Sequence, residues 1–550
     1  MATIETAIIA PMRRRLVLIS IFLLACQAVS SLPEAILASP ATSPPNTLEI
    51  PTATTSPTIT LEIPTATTPP ANTLEIPTAT PFSTPVPTSS PTYITPTTTQ
   101  PKGSFTVRFH PDGPLYTGDL VSLEIIAPNE ADLDEAQAQV QVNNSAPIDL
   151  GTADFGPYGI GGRLQATLTW VWDTRGLAAG EYPLNISILP DGLSWTETVR
   201  LFSRDDLPPP EPEAKWETAE NECCQLHYIT GTEAAFDLPS LLASADEEAR
   251  DAVESMGIEF SDPIPITVLP RVLGHGGFAA SEIYISYLDQ NYAGNDFSQV
   301  LHHEMIHLLD SRLGGDLRPA LLVEGLAVYL SRGHFKREPL LPRAAALVDL
   351  GWYLPLEPLA DAFYTSQHEI GYLEGGALVH YMVNAFGWKA FDMFYRDIHP
   401  HSSGKQSQAI DTALQAHFGL TLAQLEARFL ANLRRQQINP DMYDDIRLSV
   451  YYYDTVRRYQ QLLDPSAYFL TAWLPGADQM RQRGIVADYL RHPEDPENVA
   501  LEARLVEADR DLRAGNYIEV EKKLAQINTA LDELECLTQS EGCQETFQIK

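Results

Sequence analysis

Basic side chains are scarce in this chain of 550 residues: 36 Lys and Arg stand against 72 Asp and Glu, giving a formal net charge of −36. This imbalance argues against nucleic acid or an anionic membrane surface as a partner, because both repel a polyanion. Cysteine is also rare, with five residues, and none of them has the spacing of zinc ligands. The length is too great for one ordinary core, so we expect several domains.

The apolar run near the N-terminus is short. Leu16–Leu24, interrupted by Ser20, follows three arginines at 13–15 and ends at Ala25-Cys26. A basic cluster, a short apolar core and a small residue before the cleavage point predict a secretory signal over residues 1–26, too short for a stable spanning helix.

The end of that segment, Leu23-Leu24-Ala25-Cys26, resembles the lipobox of bacterial lipoproteins. The cysteine of a lipobox becomes the lipidated first residue, so the resemblance implies a lipid on Cys26 and membrane attachment through that lipid alone. We therefore expect an extracellular, cell-surface lipoprotein of a bacterium. An ordinary cleaved signal and full secretion are the alternative.

Residues 27–102 are dominated by Pro, Thr and Ser. The octet Thr-Leu-Glu-Ile-Pro-Thr-Ala-Thr begins at Thr47, Thr60 and Thr73, so it recurs every 13 residues. A proline-rich repeat this short buries no core, and it predicts a disordered, extended stalk.

Residues 103–206 alternate apolar and polar side chains over short runs that Gly and Pro turns separate. This period of two, over about six or seven runs in a hundred residues, predicts an all-β sandwich. The motif Trp172-Asp173-Thr174 followed by Gly180-Glu181-Tyr182 resembles bacterial immunoglobulin-like domains, which implies a spacer or adhesion module. The predicted strands are Ser104–Phe109, Leu120–Ile126, Ala138–Val142, Arg163–Trp172, Tyr182–Ile188 and Trp195–Phe202. One face of the fourth strand should bury Leu164, Ala166, Leu168, Trp170 and Trp172.

A helix with metal-binding chemistry is predicted to begin at Asp296. Asp296 suits the N-cap, Gln299 stands three residues later as in a capping box, and an apolar stripe follows at helical spacing. His303 and His307 are four residues apart, so both imidazoles leave one helix face and can bind one zinc ion. Glu304 can take a proton from water at the metal, which completes the His-Glu-x-x-His signature. Two surface histidines would share this spacing, so a third ligand is needed.

A second predicted helix supplies that ligand. Pro319–Gly333 is apolar, with proline where a helix begins and glycine where it ends. Glu324 is the only acid within it, and an ionised carboxylate buried there is costly unless it meets a cation. Two histidines and one glutamate leave one position open for water, as catalytic zinc requires, so we expect one Zn²⁺ at His303, His307 and Glu324.

The run Glu324-Gly325-Leu326-Ala327-Val328-Tyr329, which follows the His-Glu-x-x-His helix, resembles the gluzincins, in particular the peptidase MA-like group related to thermolysin and aminopeptidase N. The likeness spans about residues 225–435. It implies an α+β metallopeptidase domain over 215–440 that is mostly helical in its second half. It also implies an edge strand at Glu282–Tyr287 that pairs with extended substrate. Residues 441–550 carry helical patterns, which predict a helical C-terminal region.

The motif Tyr372-Leu-Glu-Gly375 is similar to the Tyr-x-x-Gly motif of aminopeptidase N relatives, whose tyrosine stabilises the oxyanion. The resemblance implies this role for Tyr372, and a packing tyrosine at the start of a helix is the other interpretation. The chain lacks the Gly-Ala-Met-Glu-Asn motif that grips a substrate amine, which argues against aminopeptidase activity.

Other polar residues near the signature are given no ligand role. Val328 stands where thermolysin-like enzymes often have Asp, so a carboxylate partner for a ligand histidine must come from elsewhere. Asp310 is the nearest candidate, unless it is a solvated acid at the helix end. His275, His302 and His368 lie off the ligand spacing, and we expect them not to bind the metal.

The remaining cysteines leave their pairing open. Cys223 and Cys224 are adjacent, and we expect no bond between them. Cys536 and Cys543 are close enough in sequence to close a short loop.

Together these features predict a zinc metallopeptidase with endopeptidase action on peptide or protein substrates at the cell surface, with Glu304 as general base. The main alternative is a non-catalytic surface adhesion or binding protein with a relic metallopeptidase fold. A protein that remodels its own envelope is a third interpretation. The oligomeric state is open.

Overall fold

The structure is a computed structural model that describes residues 105–538, apart from 129–132, 134, 144–146, 159–161, 191, 260–261, 271–275, 288–295, 335, 464–475 and 492–495. The predicted signal, the lipidation site Cys26 and the stalk lie outside the described residues, as do His275 and Cys543. None of the described helices combines the length and the apolar character that a membrane crossing needs. A β-rich N-terminal region is followed by a largely helical C-terminal half.

Two sheets form the N-terminal region and enclose one hydrophobic core. One sheet has the strand order β1-β3-β7-β6, and the other has β2-β9-β8-β4-β5. All six predicted runs are strands, and three further short or glycine-containing strands accompany them. The strands are β1 (Thr106–His110), β2 (Leu115–Tyr116), β3 (Leu120–Ile126), β4 (Gln137–Val142), β5 (Ile148–Asp154), β6 (Gly156–Tyr158), β7 (Arg163–Asp173), β8 (Gly180–Leu189) and β9 (Leu193–Phe202).

The expected five-residue face of β7 is broken at Trp170. Ala166, Leu168 and Trp172 are buried in the sandwich core, but Trp170 has a φ of 51° beside a register shift between β3 and β7. This irregularity turns the indole away from the core, and it packs instead against a cluster formed with the C-terminal part of the chain. The strict alternation predicted for this strand is therefore wrong at Trp170.

A third, mixed sheet begins the next region, with the strand order β10-β11-β12-β14-β13. Its strands are β10 (Trp216–Glu220), β11 (Cys224–Ile229), β12 (Ile264–Leu269), β13 (Gly277–Ala279) and β14 (Ile283–Ser286). The prediction of an edge strand at Glu282–Tyr287 is wrong, because β14 pairs with β12 on one side and β13 on the other. The three residues of β13 form the edge beside the helix that carries His303 and His307.

Helices pack against this sheet and then dominate the chain. They are α1 (Glu233–Phe236), α2 (Leu238–Met256), α3 (Phe297–Leu313), α4 (Ala320–Leu330), α5 (Leu340–Leu350), α6 (Leu356–Asp361), α7 (His368–Phe386), α8 (Trp388–Arg396), α9 (Gln406–Phe418) and α10 (Leu422–Leu433). One core of buried side chains includes residues from β11 through α10 and from the first turns of the helix that follows α10. The sheet and helices therefore fold around a single interior.

The C-terminal region contains α11 (Asp441–Leu463), α12 (Ala477–Arg483), α13 (Ala487–Leu490), α14 (Pro496–Ala514) and α15 (Tyr517–Thr538). Helices α14 and α15 form a hairpin that shares a core with α11. On its other side α11 packs against α5 and α7. This long helix therefore joins the C-terminal region to the region that contains the predicted metal site.

A buried ion cluster connects the sandwich to the C-terminal region. The guanidinium of Arg491 donates to Asp119, with Nη1–Oδ2 at 2.7 Å, and to Glu211, with Nη2–Oε1 at 2.6 Å. Asp119 belongs to the sandwich, and Glu211 lies in the proline-rich segment after it. The C-terminal region therefore holds the sandwich through a guanidinium and two carboxylates.

The adjacent cysteines form a disulfide, so the expectation that Cys223 and Cys224 do not bond is wrong. Cys223 directly precedes β11 and Cys224 is its first residue, and Oδ1 of Asn221 accepts from both cysteine amides at 3.2 and 2.9 Å. These hydrogen bonds hold the two residues in a conformation that brings their sulfur atoms together, which adjacency in sequence does not predict. Cys536 is free among the described residues.

Candidate metal centre

Helix α3 begins as the sequence predicts but without the reciprocal capping box. Oδ1 of Asp296 accepts from the amide of Gln299 at 3.2 Å. The Gln299 amide group instead donates to the carbonyl oxygens of Ser331 and Gly333, at 2.9 and 2.8 Å. The side chain expected to close the cap therefore ties α3 to the end of α4, which helps to fix the position of one helix against the other.

Helix α4 carries Glu324, and α7 crosses it so closely that glycine is required. A Cβ on Gly325 would lie 2.5 Å from the carbonyl oxygen of Gly375. The Glu324-Gly325 and Tyr372-to-Gly375 motifs therefore meet at one helix crossing, and the glycines allow the backbones to approach. Tyr372 lies in the second turn of α7, so the prediction that it stands at a helix start is wrong.

The three predicted ligands converge on one point. Nε2 of His303 and Nε2 of His307 are 3.0 Å apart, and they lie 3.3 and 3.1 Å from Oε2 of Glu324. His303 and Glu324 are buried and His307 is nearly so. Two imidazole nitrogens and one carboxylate oxygen are the donor set of a catalytic zinc site. The residues present therefore fit one divalent cation.

Burial and mutual contacts shift the pKa values of the three side chains in different directions. Burial lowers the pKa of His303 to about 4. Burial also disfavours a charge on His307, but the Glu324 carboxylate outweighs burial and raises the pKa of His307 to about 9. Burial opposes ionisation of Glu324, yet the histidines hold its pKa well below the usual range. In metal-free protein, one proton on His307 thus balances the Glu324 carboxylate.

Glu304 is buried beside the ligands, at the edge of the sheet. Its carboxylate accepts a hydrogen bond from the Ala279 backbone in β13, and burial raises its pKa to about 7. A Cβ on Gly277 would lie 3.2 Å from Cγ of Glu304, so glycine lets β13 pack against this side chain. The arrangement gives the predicted general base a place between the ligand group and the edge strand.

Two tyrosines lie at the site, and sequence reasoning identified one of them. The ring of Tyr372 is 6.1 Å from the ring of His303, and Tyr372 is buried. Tyr364, in the 3₁₀ turn before α7, donates its hydroxyl to Oε1 of Glu324 at 2.7 Å. It therefore holds the ligand carboxylate from the side opposite the histidines. No sequence motif marks it, because the turn is irregular and has no period.

Sequence reasoning also missed His334. Its ring stacks on Tyr372 with centroids 4.2 Å apart and lies 6.1 Å from the ring of His303. Nδ1 of His334 is 3.0 Å from Oε2 of Glu369 on α7. His334 follows the end of α4 without a recognisable spacing, so only the tertiary structure associates it with the site.

The remaining candidates lie apart from the ligand group. His302 directs Nδ1 to Oε2 of Glu248 at 2.9 Å, and Asp251 completes a second group of possible donors on α2. Asp310 is not a solvated acid. It is buried and pairs with Arg396, with Nη1–Oδ1 at 2.7 Å, and accepts the hydroxyl hydrogen bond of Tyr395 at 2.8 Å.

His368 begins α7, where its ring lies 4.5 Å from that of Tyr372. It is absent from the groups of described residues that could hold a metal ion.

No family model matches the chain, and no curated protein does. Among solved structures, the chain is similar to an M1 zinc metallopeptidase from Deinococcus radiodurans, at 14% identity over 61% of this chain and 94% of that one, with a TM-score of 0.28. An aminopeptidase N family protein from Idiomarina loihiensis matches at 9% identity over 62% of this chain and 78% of that one, with a TM-score of 0.27. Likenesses this distant carry no argument about activity or substrate, which depend on the geometry of the site itself.

Proposed function

We propose that this protein is a zinc-dependent peptidase whose metal is bound by His303, His307 and Glu324. The observation that carries the proposal is the convergence of two Nε2 atoms and one Oε2 within 3.0–3.3 Å of one another in a buried place. A group of such donor atoms is costly to bury without a cation between them. Two nitrogens, one oxygen and an open position suit hydrolytic zinc.

Each neighbouring side chain has a task in this proposal. A bound zinc ion supplies a Lewis acid that polarises the scissile carbonyl and makes water a nucleophile near neutral pH. Glu304 accepts the proton of the attacking water and passes it to the leaving nitrogen. The hydroxyl of Tyr372 donates to the oxygen of the substrate carbonyl as negative charge develops there. Tyr364 orients Glu324 through their hydrogen bond.

Endopeptidase action on extended chains is the form of activity that we propose. The exposed edge of β13 can pair with an extended segment, and its residues Gly277 to Ala279 carry no carboxylate to hold a free amine. Among the described residues, the acids at the site are already engaged: Glu304 by the Ala279 backbone, Glu324 by the histidines and Glu369 by His334. This supports cleavage within a chain rather than at its N-terminus.

The decisive test is Glu304→Gln in the full chain. The substitution keeps the shape of the side chain but removes its basicity, so we expect zinc content near one per chain and a fall in kcat of roughly 10²- to 10⁴-fold on casein or a peptide library. Zinc is measured by elemental analysis of the same samples. Full hydrolysis by this variant would reject Glu304 as the base. A wild-type protein that binds zinc but cleaves nothing would favour the non-catalytic alternative.

We also propose that the chain is held at a bacterial surface by a lipid on Cys26. Metabolic labelling with a radioactive fatty acid should mark the wild type and not Cys26→Ala. Equal labelling of both would exclude this anchor.

A further inference from the structure

The ring of Tyr372 packs among the rings of His334, Phe363 and His368. His334 lies against it at 4.2 Å, with 28° between the ring planes. Tyr453, from α11 in the C-terminal region, stacks on His334 in turn, at 5.7 Å and 26°. A donor to a developing oxyanion has to be held within a fraction of an ångström, so these contacts bear directly on catalysis.

His334 is itself fixed by a buried carboxylate. Oε2 of Glu369 is 3.0 Å from Nδ1 of His334, and the side chain of Glu369 is 1% exposed. Its other oxygen, Oε1, lies 3.8 Å from Nη2 of Arg343. An isolated carboxylate at this depth is costly, and the guanidinium of Arg343 supplies the opposite charge that Glu369 faces.

Arg343 connects this pair to the C-terminal region. Its side chain is 2% exposed, its Nε lies 2.8 Å from Oε2 of Glu338, and its guanidinium donates to Oδ2 of Asp445 on α11. Nζ of Lys336 is 2.6 Å from the other oxygen of Asp445. The series Asp445, Arg343, Glu369, His334 therefore extends from α11 to the ring of Tyr372, with hydrogen bonds at its two ends and a 3.8 Å ion pair between Arg343 and Glu369.

We propose that α11 belongs to the catalytic apparatus: Asp445, Arg343, Glu369 and His334 act as a brace that fixes the ring of Tyr372 beside the metal ligands. His334 and the residues behind it are positioning residues, because they act through Tyr372. The proposal rests on the proposed function, and it gives the C-terminal region a task that its sequence does not reveal. A polar network of this kind is rigid only when every member has its partner, so each substitution along it should loosen the ring.

The test is a double-mutant cycle on the full chain. His334→Phe keeps the stacked plane but loses the Glu369 contact, and we expect kcat to fall on the order of 10-fold, with KM within about twofold and zinc content unchanged. In the Tyr372→Phe background the same substitution should cause no further loss, because it acts through the missing hydroxyl. If the two losses multiply, or if zinc content falls, His334 does not work through Tyr372 and the brace is rejected.

The far end of the brace is tested by Asp445→Asn and Glu369→Gln. Both keep side-chain shape, and both should lower kcat without changing KM, with a smaller effect for Asp445 because it is farther from the ring. Glu374→Gln is the matched control: Glu374 is another buried acid on α7, but it accepts from the Leu354 amide at 2.8 Å.

The control should leave kcat unchanged, since burial raises the pKa of Glu374 well above its usual range and a neutral amide replaces a neutral acid there. Thermal midpoints separate folding from positioning: a lower midpoint with unchanged kcat in both brace variants overturns the proposal. Wild-type protein that cleaves nothing would reject the proposed function and the brace together. An active wild type with unaffected variants rejects the brace alone.

Discussion

Two clusters of buried charged side chains, one around Arg491 and one around Glu324, differ in the source of the positive charge that each carboxylate meets. Between the sandwich and the C-terminal region, Arg491 donates to Asp119 and Glu211, so protein supplies both signs of charge. At the candidate metal centre, Glu324 meets two imidazole nitrogens that also have lone pairs to share. A buried acid with a guanidinium partner is explained by folding alone. A buried acid among imidazole nitrogens is the arrangement for which we propose a bound cation.

The largest effect should follow from removing the acid that lies among ligand-type nitrogens. We expect Glu324→Ala to lose stoichiometric zinc, because two imidazoles remain of three protein ligands. Elemental analysis after dialysis against buffer measures this. Asp251→Asn is the control, since it removes a donor from the second group, where Arg332 and Arg337 lie within 3.7 and 4.0 Å of the carboxylates. A Glu324→Ala protein with full zinc would take Glu324 out of the site and abolish the contrast.

The next largest effect should follow from breaking the ion cluster around Arg491. Arg491→Met keeps an apolar stem but leaves two carboxylates buried without their cation, which should cost about 3–5 kcal/mol in unfolding free energy. Zinc content should not change, because neither Arg491 nor its two carboxylate partners is a predicted metal ligand. Denaturant titration followed by tryptophan fluorescence measures the loss. The control Arg483→Met removes only a contact over the Trp170 ring, at 4.7 Å, worth about 0.5–1 kcal/mol. Equal effects of the two substitutions would contradict this account.

A smaller effect should follow when Glu324 is kept but loses the hydrogen bond that orients its carboxylate. Tyr364→Phe deletes the hydrogen bond to Oε1 of Glu324, and we expect zinc affinity to fall about 10- to 100-fold, as is usual for a partner of a ligand. Competition with a chelator measures the affinity. Tyr329→Phe, on α4 but against the ring of His380, should change nothing. Unaltered affinity in Tyr364→Phe would mean that Glu324 is held by its helix alone.

The smallest expected effect is a change of stability with pH, caused by the titration of His307. Because the pKa of His307 in metal-free protein is raised to about 9 from its ordinary 6.5, the folded state holds a proton that the unfolded state gives up. This stabilisation is fully present below pH 6.5 and is lost as the pH rises through about 9. The thermal midpoint of metal-free protein should therefore fall over that range, and His307→Gln should flatten the profile. A midpoint that rises with pH would show that the imidazole is neutral.

Periodic segments were predictable from sequence because one buried face imposes a period. The six sandwich strands and helices α3 and α4 appear within a few residues of the predicted ends. The ligand positions within α3 follow from the same geometry, since residues four apart share a helix face. Irregular features were not predictable. The bulge that turns Trp170 outward, the disulfide that joins Cys223 to Cys224 and the three-residue edge strand β13 have no period to detect.

The candidate site divides in the same way. His303, Glu304 and His307 could be chosen from one helix, and Glu324 from a lone acid in an apolar segment. Tyr364, His334 and Asp445 could not, because their relation to the site depends on where a turn, a loop and a distant helix return in space. Each belongs to a different element of the chain.

The sequence by itself determined the composition of the ligand group and the chemistry available to it, because donor type and helical spacing are local properties. Only the tertiary structure decided which distant side chains orient those ligands and which partner each buried charge meets. The physical reason is that hydrogen bonds and ion pairs act over a few ångströms, while the residues that make them, such as Asp445 and Arg343, are separated by 102 positions along the chain.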